Sequence, residues 1–539
     1  MEVFYVKEKK MSTSITIIAI TMVVYLLAML MVGVIFNRKG ATETSDGFYI
    51  GGRSLGPLVT AMSAEASDMS SYLLMGLPGL AYIAGMAEVS WTAIGLAVGT
   101  YLNFLLVSKL LRRYSARINA FTIPEYFSNR YGDQSHVISC IAALIILVFF
   151  VPYTASGFSA VGKLFNSLFN MDYHLAMLIG AVIIIAYTTL GGFLAVSTTD
   201  LIQSIFMSVA LIIIVFFGIN MAGGMDVVID NAKQLPGYLN LGQGYVAPDP
   251  ASVDLESFSG WLQGTAGSYG FLPIVSTLAW GLGYFGMPHI LLRFMGIRDE
   301  KELTLSRRIA AVWVVISMGV AILIGIIGFS VSVSGKIPFL TNSSDSERII
   351  IRMALLMSEH SAILAFAAGI ILAGILAATM STADSQLLAA ASSVSQDLMQ
   401  DFFHIDLDQR KSMIAARATV IGIAIIAIVL AWNPDSSVFR VVSFAWAGFG
   451  ATFGPTMLLS LFWRRSNRQG AICGLLAGGI MIFVWKFWIA NLGGVFAIYE
   501  LLPAFIIGLV VNVVVSLAIP EPDQEILAVY DEVHSKNNQ

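Results

Sequence analysis

A few stretches of this sequence place oxygen-rich side chains where the neighbouring residues are apolar. Ser63-Ala-Glu-Ala-Ser-Asp-Met-Ser-Ser71 carries two acids and four serines, and Ala378-Thr-Met-Ser381-Thr382-Ala-Asp384-Ser385 adds hydroxyls and an acid over about two helical turns. Asp200 follows a further apolar run. These residue types suit a hard cation. Sodium prefers oxygen ligands, and carbonyls released by an unwound helix, joined by Ser/Thr hydroxyls from a neighbour, make a low-charge cage for it. Such hydroxyls also bond back to carbonyls of their own helix, so spacing alone leaves both uses open. An ionised carboxylate at the centre of a membrane helix costs about 2.5–3.5 kcal/mol and marks function by default. Asp68, Asp200 and Asp384 meet that condition, whereas Glu65 is expected nearer a wet vestibule. Lys163 and Lys486 are expected either to act as counter-charges or to snorkel outward.

Helices must carry these groups, and composition says in what solvent. Of 539 residues, 57% are hydrophobic and 12% charged, and mean hydropathy is +0.80. A soluble chain has about twice that charge, so most of this one must face lipid, which excludes a soluble enzyme or a nucleic-acid binder. A span needs about 20 mostly apolar residues. That rule marks 14–36, 57–86, 88–111, 136–168, 174–190, 194–222, 264–289, 309–333, 361–395, 415–432, 436–463, 470–490 and 496–519, an all-α polytopic chain of 13 transmembrane helices.

Two spans have unusual interiors. The span 57–86 holds the Ser63–Ser71 stretch, and 264–289 holds Trp280-Gly-Leu-Gly-Tyr-Phe-Gly-Met-Pro288. Inside a helix Gly costs about 1 kcal/mol and Pro about 3. Backbone unwound at membrane depth survives only where it is buried in protein or lines a cavity. Small-residue helix packing accounts for either span alone. The two are five spans apart, however, and paired interrupted helices in corresponding positions of two halves point to a transport site.

Loop charge orients the chain. With the N-terminus outside, the inner loops hold two-thirds of the thirty Lys and Arg, among them Arg38, Lys39, Arg53, Arg112, Arg113, Arg117, Arg293, Arg298, Arg307, Arg308, Arg464, Arg465 and the tail's Lys536. The acidic loop around Asp226, Asp230, Asp249 and Asp254 then lies outside, and the C-terminus is cytoplasmic; the cluster Lys7, Lys9 and Lys10 runs against this. The expected organisation is an extra helix and first inner loop (1–56), a first five-helix repeat (57–222), an extracellular loop (223–263), a second repeat (264–463), two C-terminal helices (464–519) and a tail (520–539). Nothing of that size outside the membrane suggests a fused signalling domain.

Other motifs mislead. Gly281-Leu-Gly283-Tyr-Phe-Gly286 fits a dinucleotide fingerprint but lies inside an apolar span, without the strand and helix that fingerprint requires. GFSAVGKL at 157–164 resembles a phosphate loop but ends in Leu164 instead of Ser or Thr. The six histidines have no zinc-binding spacing, and Cys140 and Cys473 lie in separate apolar stretches. No cofactor is expected.

At these motifs the chain resembles the sodium/solute symporter family, and within it most closely the bacterial sodium/proline symporter branch. The markers are GGRSLG at 51–56, SAEASDMSSYLLMGLPG at 63–79, GGFLAVSTTD at 191–200, WGLGYFGMPHI at 280–290, MSTADSQLL at 380–388 and SFAWAGFGATFGP at 443–455. The resemblance implies a leucine-transporter-like core of five plus five helices in inverted repeat, in the cell membrane. It implies sodium-coupled uptake of L-proline, or of another small amino acid or carboxylate on the same scaffold, with Na⁺ as coupling ion. Carried over by position, sodium would meet the carbonyls of Ala66, Met69 and Ala378 and the hydroxyls of Ser381 and Thr382, with Asp68 adjacent. Asp200, Asp384 and Ser385 are implied as a candidate second sodium region. Proline would sit near Ser70, Tyr72, Tyr153, Trp280, Tyr284 and Pro288. The chain departs from the branch pattern at Ser71, Tyr72, Met287, Asp384 and Ser385, where other residue types are common.

Overall fold

The computed structural model describes residues 2–38, 45–188, 192–405 and 408–535. Lys39, Lys536, positions 189–190 of the expected fifth span and the tail end 536–539 lie outside the described residues. Among the described residues nine helices are long and apolar enough to cross a membrane: Thr13–Ile35, Met86–Arg117, Val137–Phe169, Phe193–Ala222, Glu300–Val333, Ala362–Phe402, Val438–Phe462, Arg468–Leu492 and Leu501–Ala518. The remaining expected spans are also helical, but shorter or interrupted. Tyr173–Thr188 has 16 residues, and Gln409–Leu430 is apolar from Ile414 onward.

The other two are the broken helices. The first runs Pro57–Ser71, widens into a π turn at Tyr72–Gly76, and continues as Leu77–Ala84. The second runs Phe271–Leu278, tightens to a 3₁₀ stretch at Ala279–Gly286, passes through extended Met287, and restarts as Pro288–Gly296. Pro288 takes the first helical position, where its missing N–H costs nothing and its fixed φ suits the turn. The glycines let this irregular stretch approach its neighbour backbone to backbone. A methyl at Gly99 or Gly281 would strike the other's segment, Gly281 O in one case and Gly95 O in the other.

The sequence starts the seventh span at 264, but the structure starts its helix at Phe271. Thr265–Ser268 instead pairs antiparallel with Gln243–Val246, Gln243 opposite Ser268. Thr-Ala-Gly-Ser offers little apolar bulk to lipid, and its backbone groups are satisfied by a strand partner instead. The preceding loop also carries a helix at Met225–Lys233.

Around the breaks the interior is close-packed. The first broken helix is buried without interruption from Thr60 to Gly76. It is wedged between the Phe193–Ala222 and Ala362–Ser392 helices, with the second half of the other broken helix against it. The helices that carry Asp68, Asp200 and Ser381 to Ser385 are therefore packed directly against one another.

Candidate functional site

The break is located at Ser70, whose backbone stands at φ 49°, ψ −166°. This conformation is nearly exclusive to glycine and costs a non-glycine residue about 1–3 kcal/mol. It ends the first half-helix, so the carbonyls of its last turn have no continuing helix above them. One of these, Ala66 O, accepts a hydrogen bond from Ser381 Oγ at 2.8 Å. Ser381 Oγ also lies 3.2 Å from Ala378 O, and Thr382 Oγ1 donates to the same carbonyl at 3.3 Å. Four of the five expected sodium ligands thus form one connected set of oxygens spanning two helices. The fifth, Met69 O, accepts the Tyr72 N–H at the break instead. Thr379, in the same hydroxyl run, is simply back-bonded to Ile375 O at 3.0 Å. Both uses of membrane hydroxyls occur in this single segment.

Asp68 is held from two sides. Tyr284 Oη donates to its Oδ2, and Tyr153 Oη donates to its backbone carbonyl at 3.1 Å. Two of the expected solute residues thereby meet the acid expected beside the sodium. Ser70, with Tyr153 and Thr382, lines a narrow cavity that also touches Ser71, Thr379 and Gln386. Residues expected to meet the solute and residues expected to meet the ion therefore line the same cavity. Tyr72 stacks on Trp280, ring centroids 5.8 Å apart, and Phe439 leans on both. Trp446 Nε1 donates to Trp280 O at 2.8 Å, fixing the unwound strand of the second broken helix. Pro288 is buried at the head of its half-helix, and no hydrogen bond or ring contact ties it to this aromatic group.

Asp200, Asp384 and Ser385 do come together, but around a guanidinium. Arg293 Nη2 donates to Asp200 Oδ2 at 3.1 Å and to Ser385 Oγ at 2.5 Å. Its Nε donates to Ser63 Oγ at 3.0 Å and its Nη1 to His289 O at 2.8 Å. Ser63 Oγ donates in turn to Asp200 Oδ2 at 2.6 Å, and Ser385 Oγ reaches Asp384 Oδ1 at 3.4 Å. The loop-charge argument places Arg293 in an inner loop; the structure places it at 1% exposure inside the bundle. It therefore leaves the count, while Arg298, Arg112 and Arg113 keep to the same end of the bundle, where Arg112 bonds to Ile297 O and Arg113 to Glu300. Glu65, expected near a wet vestibule, is instead buried in the protein at 1% exposure.

Both lysines have acidic partners. Lys163 Nζ lies 2.7 Å from Glu347 Oε2, both fully inside the protein. Glu347 Oε1 accepts from Ser437 Oγ and from the Phe439 N–H, so this pair fixes the start of the helix that carries Phe439. Lys486 pairs with Glu500 at 2.6 Å.

A family model described as the sodium:solute symporter family matches residues 48–478. The chain belongs to the sodium:solute symporter family. Its members are secondary transporters and not enzymes, with sodium as the coupling ion. The sodium/proline symporter of Staphylococcus aureus is 37% identical over 510 residues, covering 93% of each chain, and that of its strain USA300 matches equally. Among solved structures, a Na⁺-coupled sialic acid symporter in a substrate-bound outward-open state aligns over 94% of this chain and 99% of its own, with 19% identity and a TM-score of 0.73. A closed, bromovinylhydantoin-bound Mhp1, a nucleobase-cation-symport-1 family transporter, aligns over 90% and 98%, with 14% identity and a TM-score of 0.52. These likenesses give this symporter the leucine-transporter-like fold. The sequence missed Arg293, Trp446, Phe439 and Glu347 as parts of the site's frame. Trp446 alone carried a signal, inside the SFAWAGFG stretch.

Proposed function

We propose that this symporter takes up L-proline with Na⁺ as its coupling ion, from outside to cytoplasm across the cell membrane. The observation that carries the reading is the hydrogen bond from Ser381 to Ala66 O of a broken helix, with Thr382 on the adjoining Ala378 carbonyl, in a chain 37% identical to sodium/proline symporters along nearly its whole length. Sodium is read as bound by Ala66, Met69, Ala378, Ser381 and Thr382, with the Asp68 carboxylate adding field strength from one side. Proline is read as lying beside it, near Ser70, Tyr153 and Tyr284. The Tyr72–Trp280 faces would take its pyrrolidine ring, and half-helix ends its charged groups. Pro288 supports the turn and is not read as touching the solute.

In this mechanism sodium replaces the hydroxyl-to-carbonyl bond that crosses between the two helices, Ser381 Oγ to Ala66 O, and the local bonds to Ala378 O. Binding thereby ties the first broken helix to Ala362–Ser392 and completes the wall that solute and ion share. The repeats 57–222 and 264–463 then rock about the loaded site, with the N-terminus outside and the C-terminus inside. The Arg293–Asp200 pair is read as a resident charge balance, which makes the cycle one sodium per proline. A charge falling through 100 mV supplies about 2.3 kcal/mol, and a tenfold sodium gradient about 1.4 more. One ion therefore supports roughly a 500-fold proline gradient.

The test is uptake of labelled proline into proteoliposomes, with and without an inward Na⁺ gradient, against a competition panel of small amino and carboxylic acids. Gradient-dependent accumulation competed best by proline is expected. Accumulation of another solute in preference to proline would replace the substrate and keep the scaffold; flux without accumulation would sink the symport reading.

A further inference from the structure

Away from the ion and solute regions, a groove of about 490 Å³ opens on the flank of the bundle between the Phe193–Ala222 and Leu303–Val333 helices. Its size falls within the range of ligand pockets. The mouth is set among Ile212, Val312 and Ile316, each more than half exposed, so it faces the hydrocarbon that surrounds a spanning helix. The polar groups on its wall are already spent, with one exception. Trp313 Nε1 donates to Ser208 Oγ, which donates to Ser204 O, and Ser317 Oγ donates to Val314 O. The exception is Arg308, exposed on the second turn of its helix and without a carboxylate partner among the described residues. The adjacent Arg307 points elsewhere, its guanidinium 5.1 Å from the Tyr101 ring centre.

We propose that this groove is a binding site for an anionic phospholipid, with an acyl chain in the groove and the phosphate on Arg308. An apolar channel ended by one unpaired guanidinium matches that amphiphile in both shape and charge. Arginine stems lie along apolar surface and keep their charge at headgroup level, and basic pockets between membrane helices select anionic headgroups. Arg308 lies near the end of the bundle where Arg298 pairs with Glu302, the end expected to face the cytoplasm. The site also reaches the transport machinery. Its floor includes Met62 of the first broken helix, whose next residue, Ser63, bonds to both Asp200 and Arg293. An occupied groove therefore bears directly on the helix that supplies Ala66 O.

The test is native mass spectrometry of the full chain, stripped of lipid in neutral detergent and titrated with phosphatidylglycerol or phosphatidylcholine of identical chains. Phosphatidylglycerol is expected to bind at least tenfold more tightly. Arg308→Gln should reduce it to the phosphatidylcholine level, Arg307→Gln should leave the preference intact, and Ile316→Trp should weaken both lipids. Melting temperatures of the variants establish that each is folded. Equal binding of the two lipids by the unaltered chain overturns the proposal, as does loss of preference in Arg307→Gln to the same extent. A dimer that Ile316→Trp disperses while lipid binding is unchanged would assign the groove to a second copy instead, and also overturns it.

Discussion

Arg293 Nη2 lies 3.1 Å from Asp200 Oδ2, and neither side chain has meaningful exposure. Removing one member of such a pair strands the other charge in a low-dielectric interior, which costs about 3–5 kcal/mol, whereas removing both is far milder. Arg293→Gln alone is therefore expected to lower the melting temperature in detergent sharply. Arg293→Gln with Asp200→Asn should recover most of the loss, because Ser63 and Ser385 can bond to the amides. If the double variant melts no higher than the single one, Asp200 and Arg293 do not balance each other's charge in the folded protein. The same pair bears on stoichiometry: charge moved per proline should correspond to one sodium, and a ratio of two would show that the Asp200 region takes an ion despite its resident guanidinium.

Within one hydroxyl run the structure separates ligand from bystander. Ser381 Oγ reaches across to Ala66 O on another helix and shares the Ala378 carbonyl with Thr382, whereas Thr379 bonds only to Ile375 O, outside that connected set. Ser381→Ala and Thr382→Ala are each expected to raise the sodium concentration for half-maximal uptake about tenfold or more, equivalent to about 1.4 kcal/mol. Thr379→Ala should leave it nearly unchanged. Sodium titrations of initial uptake rate at saturating proline decide this, and an equal shift in all three would remove the distinction.

How legible this was depended on whether a residue carried its meaning alone. Ser381, Thr382 and Asp68 stood out because oxygen-bearing side chains are costly in an apolar run, and both helix breaks stood out through Gly, Pro and Ser content. Arg293 is illegible for the converse reason. It follows an apolar span near its end, as a loop arginine does, and its partner is 93 residues away. Lys163 and Glu347 are separated by 184 positions, so neither announces the other. The start of the seventh helix is hidden in the sequence because Thr265–Ser268 is uncharged and passes for span, although its backbone pairs with a strand. Sequence discloses the cost of a buried polar group; the partner that offsets it is set by the fold.

Ser70 combines strain with a contact. Its φ of 49° favours glycine, yet its Oγ accepts the Tyr72 N–H at 3.1 Å. Ser70→Gly relieves backbone cost and forfeits the hydrogen bond, so stability should change by no more than about 1 kcal/mol. Ser70→Val cannot relieve the strain and loses the bond as well, so it should lower the melting temperature and abolish sodium-dependent uptake. A valine variant as stable as the parent would mean that the break is not maintained in the working protein.

The aromatic group separates solute from ion. Trp280 stacks on Tyr72, and on Tyr499 at 5.2 Å between centroids, but none of the sodium-site hydrogen bonds involves its side chain. Its backbone carbonyl, held by Trp446 Nε1, survives any side-chain replacement. Trp280→Ala therefore removes an apolar face and leaves the unwound strand anchored. Loss of this apolar face should weaken proline binding at about 25 cal/mol per Å² of contact removed, on the order of 1 kcal/mol, while sodium binding shifts much less. Phe in place of Trp280 should restore part of the proline affinity by offering a smaller face. Equilibrium binding of labelled proline, alongside sodium-dependent protection of a cysteine placed near Thr382, measures the two separately. An equal loss of both would show that Trp280 supports the whole fold of the broken helix instead of the proline pocket.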